Sequence, residues 1–512
     1  MPTLDNVVNI TILTAASQIS REGFGTALIL GGAAAAAKLT DLTRTFQEPS
    51  ELLSAGFLTS DPEYLAAVAL KGQTPAPVNF KIGKRSNLPT QSVKVTPVAP
   101  VRNTTDYKAT FDGLEAKFTS DANATANEIA TGLKTAIDAL APAAWVRNTA
   151  YVKGDKRSQS GRRYECITAG TSEDAVAGPA VKAGNDVRGQ DIVDGTCHWK
   201  FVGMVPTVTD GGGYLTIVSP VAGEYIRMNP ADFNLLRFQQ NHADPGIAAD
   251  LAAILLIDRS WYALVDCFPS LAETLAAAAW IESEKKLHVV ASSDGGIPTS
   301  AVDDIATAIK AAAYARTAVG FHPVANQFFD AAWLGARLPL DPGSETWAYC
   351  RLAGITSVTM NPDQQNKATG TAESNYTDGK GCNIYVTIGG QAATWPGIVG
   401  ALEFIDKVRG CDALKSDAQV NVYERMVSAS SAGSKIPFTD AGIAVIKAAL
   451  LKTLDKYVEI GFLSPATTYV NAPKAADVSS LDKQARTLTN VKAGGVIAGA
   501  IHQLKATITL TY

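Results

Sequence analysis

The chain has 512 residues, 46% of them hydrophobic and 18% charged, with a formal net charge of −4. That length carries about three to five domains with cores of their own. The weak net charge and the lack of long Lys/Arg runs exclude an extended nucleic-acid surface or an acidic tail. Apolar stretches such as Leu251 to Ile257 are short and interrupted, so none is read as crossing a membrane. The opening MPTLDNVVNITILTAA lacks the positive n-region and continuous apolar core of a secretory signal, which argues against an ordinary secretion route. Cys166, Cys197, Cys267, Cys350, Cys382 and Cys411 form no CxxC and read as reduced, mostly buried thiols of a protein made in a cytosol.

In chain order, Val8, Ile10 and Ile12 alternate with Asn9 and Thr11, a strand pattern. "TALILGG" predicts a buried strand ending in a glycine turn. "GGAAAAAKL" has glycines and a lysine but not the GxxxxGK[ST] order that cradles phosphate, so it reads as a turn leading into a small-residue helix. Residues 61–73 predict another helix. Residues 74–106, with Pro75, Pro89, Pro97 and Pro100 between short Val/Ile runs, read as edge strand or connector. A hairpin is expected around Asp112-Gly113. A helix capped by Ser120 or Asp121 should follow, with Ile129, Leu133, Ile137 and Leu140 on one face.

Residues 145–203 change texture, with short strands, glycine turns and spaced aromatics: Tyr151, Gly154-Asp155, Gly161, Tyr164-Cys166, Asp194-Gly195 and Trp199. This resembles the small aromatic-bearing β modules attached to chitinases, which also decorate phage structural proteins. The resemblance implies glycan contact, with Tyr164 or Trp199 stacking on a sugar ring; in so small a module the same aromatics also serve as core.

From about residue 225, near-continuous apolar strands ("WYALVDCF", "LHVVASSD", "TAVGFH") alternate with helices, the mark of a sheet covered on both faces. A helix is expected within residues 323–339. The polar stretch Asn361 to Gly381 reads as a long exposed loop or turn-rich excursion, followed by the strand "CNIYVTIGG". "PFTDAGIAVIKAALLKTLDKYVEIGFL" predicts a helix started by Thr439 or Asp440, faced by Ile443, Ile446, Leu450 and Leu454, and stopped at Gly461. In "HQLKATITLTY", Leu504, Ala506, Ile508 and Leu510 alternate with polar residues as a second strand without an obvious partner. The fold class expected is α/β with an α+β inner domain, multidomain, with strand arms and an inserted small all-β module.

Chemistry is thinly signalled. His198, His242, His288, His322 and His502 have no metal-ligand spacing, and there is no GxSxG elbow. Asp266, Ser292 to Asp294 and His322 stand where α/β enzymes place catalytic groups, at strand carboxyl ends, and such polar residues are also ordinary there. Asp303-Asp304 read as helix N-terminal charge. Neither catalysis nor a cofactor or metal is expected. Strand segments around residues 6–13 and 502–512 must pair either within one subunit or, by β-augmentation, with another copy. A heterologous exchange of that kind propagates into a lattice.

The stretches "VVNITILTAASQISREGFGTALILGG", "WYALVDCF", "FHPVANQFFDAAWLGARL", "GCNIYVTIGG" and "PFTDAGIAVIKAALLKTLDKYVEIGFL" through "ATITLTY" together resemble the contractile tail sheath proteins of long-tailed bacteriophages. The likeness spans most of the chain outside residues 107–205. It implies a virion protein, assembled in the bacterial cytoplasm, that stacks as hexameric rings around a tail tube and contracts to drive the tube through the host envelope. Its implied partners are itself, the tube, baseplate and tail terminator proteins, with no nucleic acid and no membrane insertion. The implied organisation is an N-terminal arm (1–20), a first part of the core (21–106), an inserted hairpin-helix region (107–144), an outer β module (145–205), a middle α/β domain (206–382), a tube-facing inner domain (383–495) and a C-terminal arm (496–512). The arms carry Val8, Ile10 and Ile12 in front and Leu504, Ala506, Ile508 and Leu510 behind; Lys447, Lys452 and Lys456 are candidates for facing the tube. A non-contractile structural or adhesive virion protein is the nearer alternative. A carbohydrate-active enzyme with an appended binding module is the more distant one.

Overall fold

The computed structural model describes residues 23–174, 178–182, 189 and 191–508. Val8, Ile10, Ile12 and Leu510 lie outside the described residues. The chain divides into two compact units, one built from Phe24–Cys411 with the tail from Gly499, the other on Asp412–Ala498.

The first unit is organised by an eight-stranded sheet in the order Thr43–Phe46, Phe80–Gly83, Ala27–Leu30, Ala263–Asp266, Leu287–Ser292, Thr317–Phe321, Asn383–Ile388, Gln391–Trp395. The six inner strands run parallel and the two edge strands antiparallel. Continuous apolar sequence follows from burial on both faces: Ala27 and Ile29 join one core while Leu28 and Leu30 join the other. The first core includes the helices Pro62–Lys71 and Phe329–Arg337, and the second Ile247–Ile257 and Leu271–Glu284. Pro62–Lys71 and Phe329–Arg337 meet closely at Gly335, where a Cβ would stand 2.1 Å from the Leu70 carbonyl oxygen. The strands on either side of residue 382/383 belong to this one sheet.

Between Gly83 and Ala263 the chain makes a body of smaller sheets. Ser92–Pro97 lies between Leu215–Val218 and Leu236–Gln240, and Asp106–Phe111 between Met228–Pro230 and Leu114–Thr119. Four further strands, Lys156–Gln159, Arg162–Thr168, Cys197–Met204 and Asp191–Asp194, form the β module. Its Tyr164, Cys166 and Trp199 share one hydrophobic cluster with Val93, Tyr107, Leu133 and Phe238. The module is thus continuous with the body that carries it.

Three local expectations are corrected. Ser92–Pro97 and Phe80–Gly83 are interior strands, not edges, because Pro89 and Pro100 fall outside them and Pro97 is the last residue. The helix after the hairpin is Ala126–Asp138, capped by Thr125 in a capping box with Glu128. The Ser120 hydroxyl instead accepts from the Thr105 amide and donates to the Arg102 carbonyl, closing the hairpin base. Within Asn361 to Gly381 a helix, Pro362–Thr369, starts at an Asn361–Gln364 capping box, and Ala368 and Tyr376 are buried. The expected hairpin is present, with Asp112 and Gly113 at φ +47° and +83°.

In the second unit the expected helix runs Asp440–Glu459, with the Thr439 hydroxyl accepting from the Gly442 amide, and the chain turns at Gly461 (φ +80°). Its Ile443, Leu454 and Tyr457 are buried. The helix Ile405–Ser431 contributes Asn421, which donates to Thr453, and Asp417, which pairs with Lys456 at 2.5 Å. A two-stranded antiparallel sheet, Tyr469–Asn471 with Lys492–Gly494, is continued by a bridge between Leu463 and Ile497.

Candidate functional site

The fold brings the enzyme-like candidates together. Asp266, Ser292, Asp294 and His322 end three neighbouring parallel strands and line a cavity of about 40 Å³, room for a few waters. Each is committed to an internal bond. Asp294 takes both arms of Arg237, at 2.6 and 2.8 Å. His322 donates through Nε2 to the Thr356 carbonyl at 2.8 Å and accepts the Val324 amide at Nδ1; burial lowers its pKa and keeps the ring neutral. Ser292 Oγ accepts the Asp294 amide. Burial, then the neighbouring Glu273, pushes the Asp266 carboxyl up to about 7. Among the described residues no hydrogen bond joins the serine, histidine and aspartates as nucleophile, base and orienter.

The glycine-started helix Ala33–Lys38 is also filled from within. Glu63 Oε1 accepts the Gly32 and Ala35 amides at 2.8 and 3.2 Å, taking the place an external anion would occupy. The glycines make room: a Cβ on Gly31 would stand 2.4 Å from Glu63 Oε1. Burial, then Asp61, raises the Glu63 pKa from 4.5 to about 7.

The sugar-stacking reading of Tyr164 and Trp199 is corrected. Both rings are fully buried, Trp199 Nε1 donates to Asp194 at 3.0 Å, and its ring meets Tyr151 edge-on. Neither has a face to offer a sugar, because in so thin a module these rings are the core. Lys447 and Lys452 are exposed on Asp440–Glu459, while Lys456 is held by Asp417.

The tail presents the opposite picture. Residues 499–508 form no strand and make no backbone-to-backbone hydrogen bond with the described residues. Ile501, Leu504 and Ile508 are 90%, 84% and 85% exposed, and Ala506 is exposed as well. Lys505 reaches Glu373 at the surface. His502 alone is seated, among Tyr349, Trp395 and Phe404. Sequence reasoning passed over it, since those rings come from distant stretches and nothing local marks them. In the second unit, neither Tyr469–Asn471 nor Lys492–Gly494 has a further strand beside it among the described residues.

No family model and no curated protein matches the chain. Among solved structures it is similar to a sheath tail protein of Listeria innocua, at 10% identity and a TM-score of 0.41, over 94% of this chain and 97% of that one. A sheath tail protein of Desulfitobacterium hafniense is similar at 10% identity and a TM-score of 0.40, over 90% and 93%. The helical sheath of the anti-feeding prophage in its contracted state is similar at 16% identity and a TM-score of 0.37, over 52% and 75%. Sheath proteins are thus among the solved structures that this chain is similar to.

Proposed function

We propose that this chain is a structural subunit of a contractile tail sheath, polymerising as stacked hexameric rings around a tail tube and shortening to drive that tube through a host envelope. The observation that carries the reading is the pairing of two unsatisfied features. The tail at residues 501–508, with Ile501, Leu504 and Ile508 exposed, has no strand partner among the described residues, and the two-stranded sheet at 469–494 has no further strand beside it among them. Isolated two-stranded sheets are marginal in water, and added strands satisfy their free donors and acceptors. An arm from one copy completing the sheet of another meets both needs and propagates. Front-arm residues Val8, Ile10 and Ile12, with Leu510, join the exchange in this reading. Lys447 and Lys452 face the tube, and baseplate and terminator proteins close the ends. Energy stored in inter-subunit packing drives the movement, so no nucleotide or metal takes part, and the protein resides in the virion tail after cytoplasmic assembly.

Electron microscopy of the purified protein tests the reading. Hollow helical tubes in two lattice spacings are expected; a single spacing under all conditions would mark a non-contracting structural protein instead. Deleting residues 504–512 is expected to leave a folded subunit that does not polymerise. Normal polymers from that truncation, by light scattering, would overturn arm exchange.

A further inference from the structure

The tail does not leave the first unit at random. Gly499 takes φ +64° with no atom within 4 Å of where a Cβ would stand, an open turn. Three residues on, His502 is the one residue of 501–508 that is not exposed. Its ring lies 4.9 Å from Phe404 at 88°, 5.9 Å from Tyr349 at 86° and 6.1 Å from Trp395 at 58°. Tyr376 backs both Trp395 and Phe404 edge-on. Nε2 stands 2.8 Å from Thr346 Oγ1, and the Tyr349 hydroxyl donates to the His502 carbonyl. Side chain and backbone are therefore both gripped, by groups from several separate stretches of chain. Nδ1 is buried with no hydrogen-bond partner, so a second N–H on the ring would have no acceptor, and the seat suits the neutral imidazole.

We infer that this aromatic pocket is a docking site for the chain's own tail, with His502 as the seated group, and that it fixes where the arm begins. The functional consequence rests on the arm reading above. With the ring seated, the free segment starts at residue 503. With the ring released, residues 499–502 join it, adding about 13 Å of reach at ~3.3 Å per residue. Neighbours in an extended and a shortened lattice stand at different separations, so a clasp of this kind gives the arm two lengths without unfolding the body.

The test uses the full chain with a nitroxide at position 504 (L504C in a C411S background), read by electron paramagnetic resonance at concentrations below polymerisation. A slow component is expected in the parent, lost in H502A and in F404A and weakened in Y349F, with melting unchanged in H502A. Equal mobility in parent and H502A overturns the docking site. A slow component that disappears on dilution also overturns it, because the pocket would then be filled by another copy's tail. The arm reading fails separately, through normal polymerisation of the 504–512 deletion, and that result leaves the spectra of the full chain untouched.

Discussion

Replacing Leu504 and Ile508 together by serine asks whether the tail is an adhesive arm. Their side chains are 84% and 85% exposed, so the single subunit gains nothing from them and its melting temperature is expected to stay unchanged. Burying an aliphatic side chain of this size against another subunit contributes about 2 kcal/mol. The pair then amounts to about 4 kcal/mol per arm, about a thousandfold in association constant. Serine forfeits that term while keeping every backbone donor and acceptor, so strand pairing itself remains available. Lys505 is left in place because its 3.1 Å pair with Glu373 joins two well-exposed groups, an arrangement that contributes little. The assay is the critical concentration for polymerisation by light scattering, with sedimentation as a check on polymer length. A rise of roughly two to three orders of magnitude is expected. Polymerisation at the parent's critical concentration, with melting unchanged, refutes the claim that these side chains are buried between subunits.

Two further outcomes follow from the interior. Glu63 has its pKa raised from 4.5 to about 7, so the stability it contributes is present below 4.5 and lost as pH rises through 7. E63Q keeps the acceptor for the Gly32 and Ala35 amides and does not titrate, so its stability relative to the parent should improve by about 3 kcal/mol between pH 4 and pH 8 in urea unfolding; an unchanged gap would sink the assignment. W199A removes a fully buried ring bonded to Asp194 and is expected to cost about 3–5 kcal/mol, read as a lowered unfolding midpoint. A Trp199 variant with parental stability would mean the ring is not core.

Local signals carried well wherever one segment decides the outcome. The Asp112-Gly113 turn, the Thr439 start and Gly461 stop, and the apolar run at Ala27–Leu30 all form as their residues dictate. The capping box at Asn361–Gln364 was readable too, but the polarity of the surrounding stretch outweighed it. What stayed hidden depends on partners far away in sequence. Ala27 pairs with Ala263, and no feature of "TALILGG" announces a neighbour more than two hundred residues on. The prolines around Ser92–Pro97 suggested an edge, yet Val93 and Val95 supply the alternation of an interior strand. The His502 seat was illegible for the same reason as the Glu63 cap: each is one side chain meeting groups gathered by the fold.

The two places where an α/β body of this kind receives ligands are the first helix N-terminus and the strand carboxyl ends. Here both are occupied by the protein's own side chains. An external anion at Gly32 would have to expel a carboxylate that the glycines are shaped to admit, and a substrate at the strand ends would have to break the Arg237–Asp294 fork. Displacing either would leave a buried charge unpartnered, at a cost of several kcal/mol. Among the described residues, exposed bonding groups remain on the strand edges at 469–494 and on the tail at 501–508. Those groups are backbone amides, carbonyls and aliphatic side chains, which another extended polypeptide satisfies all at once and a small molecule does not. In the proposed arm exchange a second copy supplies both halves of that match.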